Sequence, residues 1–297
     1  MSQSNRADYL ALGHPTLDVL SGSAPQASLE ATALGDHALG GTVLYAGLQA
    51  ARLQQRTVIL GRGNAGAIAP RWSAYADEAE LVLQDSPSTT IFSNVEDGDD
   101  RKQSIVDWAG PMTLPDRLPP AAILHLAPVA REFELGDALD RADADFIGLT
   151  AQGLLRRFEP GGSVVSHEAC RVPASFARRL DVVVVADYEA RYADDLLRGA
   201  VAGGGLGIIT RGRRGCQVMT ATGVEDHPAP AGGAVAVDST GAGDIFAAAL
   251  FVELYRGAGV ADAVRLAATA AALSLDGSGL DAVRMRGPIL ARVPRAA

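Results

Sequence analysis

The sequence has few cysteines, no excess of basic charge and no long apolar run, and each absence excludes a class of protein. Its 297 residues include only Cys170 and Cys216. Two cysteines are too few for a disulfide scaffold and point to the reducing cytoplasm. The 26 Lys and Arg against 35 Asp and Glu give a net charge of -9, which argues against a nucleic-acid partner. No apolar run is long enough for a membrane span, and the polar residues 1–8 do not read as a signal peptide.

Metal-ligand spacing is also missing, since the five histidines are scattered singly along the chain, and a structural zinc site is therefore not expected. Hydrophobic residues make up 48% and charged residues 21% of the chain, which is typical of a globular protein with a large core. Strand and helix patterns alternate along the chain and predict an α/β fold, with a mostly parallel sheet and helices on both faces.

The most informative stretch is 237–256, in which a glycine turn leads into an apolar helix. Gly241 and Gly243 permit close approach of a ligand to the backbone. The first turn of a helix leaves N–H groups without partners and carries the positive end of the helix dipole, so an anion is expected there. Asp244 lies at the same point. An anion site beside a carboxylate suits transfer of a phosphoryl group to a hydroxyl, with the carboxylate accepting the proton.

A plain helix cap is the alternative interpretation of this stretch, because Asp caps helices and Gly forms turns. The polar residues Asp238, Ser239 and Thr240 immediately precede the turn. A cap needs one such residue rather than several, and this favours a binding site.

The segment Asp238–Asp244 resembles the Asp-x-Thr-Gly-Ala-Gly-Asp signature of the ribokinase-like (PfkB) carbohydrate kinase family. Motifs in the family's order extend the resemblance over about residues 9–280. The resemblance implies a ribokinase-like fold with a small β lid. We expect one domain over 1–297, with a lid built from insertions around 14–40 and 86–112. It also implies ATP and Mg²⁺ as cofactors, allows for K⁺, and allows for a homodimer formed through the lid.

The acceptor site is expected between the first strand and the lid. Asp18 follows the first strand and matches the family's substrate-binding Asp, while Gly40 and Gly41 match its paired glycines. Tyr45 stands where the family has Asn; it is read either as a substrate contact or as a core residue of the helix. Further acceptor contacts are expected from the lid hairpin, predicted over 89–95 and 103–108, and from the segment after a later strand. These candidates are Asn94, Arg101, Gln152 and Arg156.

The donor site is implied by the resemblance on the later half of the chain. The Thr-x-Gly-x-x-Gly segment, the signature and the adenine-pocket position supply Thr210, Gly212, Gly215, Thr240 and Ala268. Ala268 stands where the family usually has Asn. Glu189 matches the Glu of an Asn-x-x-Glu motif near Mg²⁺, with Ala186 replacing the Asn and Asp187 as a substitute. Asp238 is the expected neighbour of a monovalent cation.

A second glycine pattern, Gly61-Arg-Gly-Asn-Ala-Gly66, fits the dinucleotide fingerprint after a strand. Pro70 is expected to interrupt the helix that would hold the pyrophosphate, so this pattern is a weaker candidate. The sequence thus predicts an ATP-dependent kinase for a small sugar or polyol, with Gly241, Ala242 and Gly243 as the anion hole and Asp244 as the base. The alternatives are a nucleoside kinase of the same family and a non-catalytic dinucleotide-binding protein.

Overall fold

The computed structural model describes residues 6–19, 37–97, 100–159, 163–230 and 236–294, without the side chains of 95–97, 100–102 and 163–164. Within these ranges the strands are β1 (Ala7–Leu12), β2 (Thr16–Val19), β3 (His37–Gly40), β4 (Thr57–Gly63), β5 (Glu80–Asp85), β6 (Thr90–Asp97), β7 (Asp100–Asp107), β8 (Ala121–Leu126), β9 (Ala144–Thr150), β10 (Arg156–Arg157), β11 (Ser163–Val164), β12 (Ser166–His167), β13 (Val182–Ala186), β14 (Leu206–Thr210), β15 (Cys216–Thr220) and β16 (Gly223–His227). The α-helices are α1 (Thr42–Arg52), α2 (Ala65–Trp72), α3 (Leu135–Asp140), α4 (Gln152–Leu155), α5 (Ala174–Ala177), α6 (Asp194–Ala202), α7 (Ala242–Tyr255), α8 (Val260–Ser274) and α9 (Arg286–Leu290).

The main sheet has nine strands in the order β16-β15-β14-β13-β9-β8-β1-β4-β5. The strands from β14 to β5 are parallel, and β15 and β16 form an antiparallel hairpin at one edge. The predicted α/β class with a mostly parallel sheet is therefore confirmed. Such strands are buried on both faces, which explains why β13 reads as an unbroken run of valines.

Helices cover both faces of this sheet, and the side chains of β1 contribute to the hydrophobic core on each face. Its side chains alternate, so Tyr9 and Ala11 pack with α1, α7 and α8, whereas Leu10 and Leu12 pack with α3 and α6. Helix α7 is buried along most of its length. A Cβ on Gly148 would lie 2.2 Å from the ring of Phe251, so this glycine lets α7 approach β9 closely.

A separate five-stranded sheet has the order β11-β7-β6-β2-β3, which confirms the predicted small β lid. Strands β6 and β7 form the predicted antiparallel hairpin, with Asn94 opposite Gln103. Strand β2 pairs with β6 in parallel and with β3 in antiparallel orientation. The lid segments expected at 20–36 and 98–99 lie outside the described residues. The single-domain extent over 1–297 stays a prediction.

The second glycine pattern does not form the turn that its spacing suggests. Gly61 and Gly63 lie inside β4, where added Cβ atoms would contact Pro15 and Ile68 at 2.6 and 2.5 Å. These glycines make room for neighbouring side chains. The expected break at Pro70 is wrong, because α2 contains Pro70 and begins at a cap formed by the Asn64 side chain. None of the helices in the described ranges is long and apolar enough to cross a membrane.

Candidate active site

A cavity of about 610 Å³ lies between the main sheet and the lid. Thr150, Ala186 and Thr210, at the carboxyl ends of β9, β13 and β14, line its floor. In parallel α/β sheets ligands gather at these ends. Asp18 and Asn94 line the cavity from the lid, and most of the other predicted site residues line it too. They are Gly41, Tyr45, Gln152, Arg156, Glu189, Thr240, Gly241, Gly243 and Asp244.

Asp244 lies in the first turn of α7 and lines this cavity. Burial raises the pKa of its carboxyl from 3.8 to about 7, because removal from water disfavours the charged form. A hydrogen bond from Thr42 and the charge of Arg156 oppose this rise in pKa. A carboxylate with a pKa near neutrality is better matched to proton transfer than an ordinary Asp.

The turn before α7 presents backbone N–H groups to the cavity. Gly241 has φ 78°, the left-handed conformation that favours glycine, and it is the N-cap of α7 without a side-chain cap. Among the described residues no hydrogen-bond acceptor is found for the amides of Gly243 and Asp244, whereas the Ala242 amide reaches the Ser239 carbonyl at 3.4 Å. Open amides at a helix N-terminus suit an anion. The anion-hole role of Gly241–Gly243 stays a prediction.

Asp18 faces the cavity from β2, and the glycines of β3 leave room for its carboxylate. A Cβ on Gly40 would lie 2.4 Å from Asp18 Oδ2. Thr16 donates to Asp18 Oδ1 at 3.2 Å. Gly41, with φ 92°, is the N-cap of α1. Gly40 therefore makes room for the Asp18 carboxylate, and Gly41 alone of the pair lines the cavity.

Tyr45 is a core residue of α1, and 2% of its surface is exposed. Its ring packs beneath Gly241, where an added Cβ would lie 2.3 Å from Tyr45 Cδ1. Burial raises the pKa of its phenol, with smaller contributions from Asp18, Asp238 and Asp244. The sequence left Tyr45 as either a substrate contact or a core residue of the helix, and most of this side chain lies in the core.

The lid hairpin contributes Asn94, whose Oδ1 accepts a hydrogen bond from Gln103 Nε2 at 3.0 Å. The side chain of Arg101 lies outside the described residues, and its predicted contact stays a prediction. The sequence reading missed Gln103 and His167, which both line the cavity. Gln103 had a usable signal, since it faces Asn94 across the hairpin; His167 had none, because its strand has two residues.

Gln152 and Arg156 come together after β9, as expected, and both line the cavity. Arg156 donates to Gln152 Oε1 at 2.9 Å and to the Val129 carbonyl at 2.7 Å. Its guanidinium lies 5.0 Å from the ring centre of Phe92. The described hydrogen bonds of these two side chains thus go to protein groups, and their predicted contact with substrate stays a prediction.

Glu189 is buried, with 3% exposure, and reaches the cavity. Its Oε2 accepts from the Ala186 amide at 3.0 Å, while Oε1 has no hydrogen-bond partner among the described residues. Burial raises the pKa of this carboxyl. Asp187, the expected substitute for the missing Asn, pairs with Arg214, and its predicted role stays a prediction. The predicted place of Glu189 near Mg²⁺ stays a prediction.

The predicted donor segment surrounds the end of β14. Thr210 donates to the Val185 carbonyl at 3.2 Å. Gly212 and Gly215 have φ values of 53° and 83°, so this tight loop requires glycine. Arg211 pairs with Asp226 of β16 at 2.5 Å. Ala268 lies half-buried on α8 against the main core and lines neither of the two cavities described.

A second cavity, of about 760 Å³, lies on the other side of Tyr45 and is lined by Asp238 and Asp281. The Asp238 carboxylate accepts from the amides of Thr240 at 2.8 Å and Gly279 at 3.4 Å, which ties the signature to the loop after α8. The described residues contain no cluster of three or more His, Cys, Asp or Glu side chains arranged for a metal. A Mg²⁺ ion would therefore take most of its ligands from phosphates and water.

Comparison with known proteins gives a family match for one part of the chain and fold matches for all of it. Residues 195–284 match the pfkB family carbohydrate kinase model. No curated protein sequence matches. Among solved structures, a pyrophosphate-dependent kinase in the ribokinase family, complexed with a pyrophosphate analog and myo-inositol, is 18% identical with a TM-score of 0.71, over 96% of this chain and 100% of that one.

Two further structures have the same fold. The nucleoside kinase of Methanocaldococcus jannaschii is 15% identical with a TM-score of 0.69, over 98% of this chain and 99% of that one. The Arabidopsis thaliana ribokinase complexed with ribose and ATP is 16% identical with a TM-score of 0.67, over 98% and 100%. Fold, signature and family match together define a phosphotransferase that acts on an alcohol group. The predicted resemblance to the ribokinase-like (PfkB) family is confirmed by the family match over residues 195–284 and by the fold of the whole chain.

Proposed function

We propose that this protein transfers the γ-phosphoryl group of Mg²⁺–ATP to a hydroxyl of a small sugar or polyol. The observation that carries the proposal is the position of Asp244. Its carboxylate, with a pKa near 7, lies in the same turn as the open amides of α7, in the cavity that Asp18 faces from the lid. A base, an anion site and a hydroxyl-binding carboxylate thus share one cavity.

Each group has a defined part in the transfer. Asp18 accepts hydrogen bonds from acceptor hydroxyls, while Asn94 and Gln103 close over the acceptor from the lid. Amides of Gly241, Ala242 and Gly243 stabilise the charge of the transferring group. The hydroxyl oxygen forms the new bond to phosphorus as the bond to the leaving phosphate breaks, and its proton passes to Asp244. Because the transition state is loose, the proton moves late, and Asp244 serves mainly in orientation and final proton acceptance.

The donor groups would come from the opposite end of the cavity. Thr210 and Thr240 line it. The buried Oε1 of Glu189 accepts no described hydrogen bond and lies 4.0 Å from His167 Nε2, and it suits a water on Mg²⁺. The metal would neutralise charge on the donor phosphates. A monovalent cation near Asp238 is the remaining cofactor in the proposal; its test is the rate in potassium against the rate in a bulky organic cation.

Pyrophosphate is the second candidate donor. Ala268 offers a methyl group where the family usually has Asn, and it lines neither cavity, so a pocket for adenine lacks support. Arginines 211, 213 and 214 follow Thr210 in the sequence, and arginine suits phosphate groups, although Arg211 and Arg214 already pair with Asp226 and Asp187. The fold match to a pyrophosphate-dependent kinase prompts the same test.

The other sequence alternatives have weaker support. A nucleoside acceptor would have its base stacked on or packed against Tyr45, and most of this ring is buried beneath Gly241. A dinucleotide site at Gly61–Gly66 would need a phosphate-binding turn, and Gly61 and Gly63 lie within β4 instead. Both cysteines are free, in keeping with the proposed cytoplasmic location.

The test combines two donors with three acceptor pools. Mg²⁺–ATP or Mg²⁺–pyrophosphate is mixed with pooled sugars, polyols or nucleosides, and ³¹P NMR follows new phosphomonoester signals. We expect a signal with sugars or polyols that disappears in Asp244→Asn. If a signal is seen only with nucleosides, the acceptor is a nucleoside and not a sugar or polyol. If a signal is seen only with pyrophosphate, the donor is pyrophosphate and not ATP. The absence of signal in every combination would refute the proposal.

A further inference from the structure

A line of hydrogen bonds runs from a buried arginine to Thr42, which lines the same cavity as Asp244. Arg156 Nη2 donates to Gln152 Oε1 at 2.9 Å, and Gln152 Nε2 donates to Thr42 Oγ1 at 2.5 Å. Asp244 lines the same cavity as Thr42, and the Thr42 hydroxyl acts on its carboxylate as a hydrogen-bond donor that lowers its pKa. Thr42 and Gln152 are 110 residues apart in sequence, so the tertiary fold, not a local motif, creates this line.

The chemistry of its first member fixes the direction of every bond. A guanidinium can only donate, so the group of Gln152 that faces Arg156 is the carbonyl oxygen, and the amide nitrogen must face Thr42. The Thr42 oxygen then accepts from Gln152. Its single hydroxyl proton is left for a carboxylate, which accepts. All donors therefore point from Arg156 towards Asp244.

Neighbouring groups restrict the movement of Thr42 and Arg156. Thr42 and Arg156 are 1% and 7% exposed. Arg156 is fixed by the Val129 carbonyl at 2.7 Å and by the ring of Phe92. Thr42 is the first residue of α1, directly after the N-cap Gly41. A threonine hydroxyl in this setting has little rotational freedom.

We propose that Thr42 is a positioning residue that orients the Asp244 carboxylate and holds it as a hydrogen-bond acceptor, with Gln152 and Arg156 fixing Thr42 from behind. This inference rests on the proposed role of Asp244 as base. It changes the expected role of Gln152 and Arg156, which sequence reasoning placed on the substrate. Their main contacts serve the base.

The groups of this line favour the ionised form of Asp244, whereas its other surroundings favour the neutral form. Burial is the largest and disfavours the ionised carboxylate, and the charges of Glu189 and Asp18 act in the same direction. The positive charge of Arg156 and the Thr42 bond favour ionisation. Two buried phenols, Tyr9 and Tyr45, also face Asp244. Loss of the Thr42 proton would remove a stabilising donor from a carboxylate that burial already disfavours.

The test reads the Asp244 carboxylate directly in the full-length protein. ¹³C NMR of aspartate-labelled protein follows its titration, with the signal assigned by its absence in Asp244→Asn. In Thr42→Val we expect the midpoint to move upward by about one pH unit, because a donor to a charged group is lost. Thr42→Ser should restore the native midpoint. Gln152→Met, which leaves Thr42 in place, should give a smaller upward shift.

Thr57→Val is the matched control, since Thr57 is a buried threonine whose described hydroxyl hydrogen bond goes to the Gln55 carbonyl. The midpoint of Asp244 in this variant should stay native. An unchanged midpoint in Thr42→Val or in Thr42→Ala would overturn the inference. Should neither of these fold, an unchanged midpoint in Gln152→Met would do so. This titration needs no turnover, so it can refute the positioning role of Thr42 whether or not the protein is a kinase.

A kinetic measurement separates positioning from substrate binding. If the enzyme turns over, the acid limb of kcat/KM in Thr42→Val should move to higher pH, with activity recovering at alkaline pH while KM stays near native. A pH-independent rise in KM for the acceptor, without a change in the acid limb, would assign Gln152 and Thr42 to substrate binding and contradict the positioning role.

Discussion

The ring of Tyr45 lies directly beneath Gly241, at a distance that leaves no room for a Cβ on the glycine. The gap would be 2.3 Å to Tyr45 Cδ1. Gly241 has φ 78° as well, so both the space and the backbone angle require glycine. The turn that opens α7 thus rests on α1. This contact couples the position of the anion site to a residue at the family's Asn position.

Gly241→Ala should therefore destabilise the protein by about 2 kcal/mol or more, through backbone strain and the clash with Tyr45. Gly243→Ala is the matched control, because a Cβ there meets nothing within 4 Å. Its stability should be equal to wild type or slightly higher, as alanine favours helix. Urea unfolding measures both. Equal stability of the two variants would contradict the close contact seen here.

The raised pKa of Asp244 makes a stability prediction that is independent of catalysis. The carboxyl ionises near pH 7 in the folded protein and near 3.8 as an ordinary Asp, so its contribution to stability is present below the lower value and is lost as pH rises to about 7. The Asp244→Asn variant has no carboxyl to ionise at this position, so it does not lose this stability as pH rises. Its unfolding free energy relative to wild type should rise between pH 4 and pH 7 and then level off. A difference that is constant over this range would show that the pKa is ordinary.

His125 should have the opposite effect on the pH dependence of stability. It is fully buried between the Tyr9 hydroxyl at 2.6 Å and the Thr150 hydroxyl at 2.7 Å. Burial lowers its pKa from 6.5 to about 3. The unfolded chain takes up a proton that the folded protein does not, so stability is lost as pH falls below 6.5. In His125→Gln the slope of unfolding free energy between pH 4.5 and 6.5 should become flatter than in wild type. An unchanged slope would show that His125 takes up its proton in the folded state.

Glu132 is a buried carboxylate that stabilises the loop behind the cavity. It accepts hydrogen bonds from the amides of His14, Val129 and Ala130 at 2.7 to 3.0 Å. Glu132→Gln places an NH₂ group against backbone donors, and we expect a loss of about 2 kcal/mol. Glu134→Gln, at an exposed position two residues away, should be close to neutral. Similar urea midpoints for the two variants would contradict the role of Glu132.

The sequence predicted the parts of the fold that local chemistry determines. The valine run of β13 is typical of a buried parallel strand, and the glycine turn before an apolar run located α7. The exposed edge strand β16 was not predicted, because its residues Gly223–His227 are mostly exposed and carry no alternating apolar pattern. Gly61 and Gly63 read as a turn, since sequence alone does not show that Pro15 and Ile68 fill the space beside them.

The candidate site also contains residues that the sequence predicted and residues that it did not. Asp244 and Asp18 were found through motifs, and both line the cavity. Thr42, Gln103 and His167 have no distinctive spacing and reach the cavity only because the main sheet and the lid bring separate segments together. The ionisation of Asp244 was also beyond sequence reasoning, because it depends on burial and on charges from other elements.

The most direct test of the central claim compares wild type with Asp244→Asn for turnover and for donor binding. With the donor and acceptor found by ³¹P NMR, kcat should fall about 1,000-fold in the variant, the effect expected for loss of a general base. The dissociation constant of the donor, measured by calorimetry, should stay within a few-fold of wild type. Retention of most of the activity by Asp244→Asn would contradict the role of Asp244 as the base.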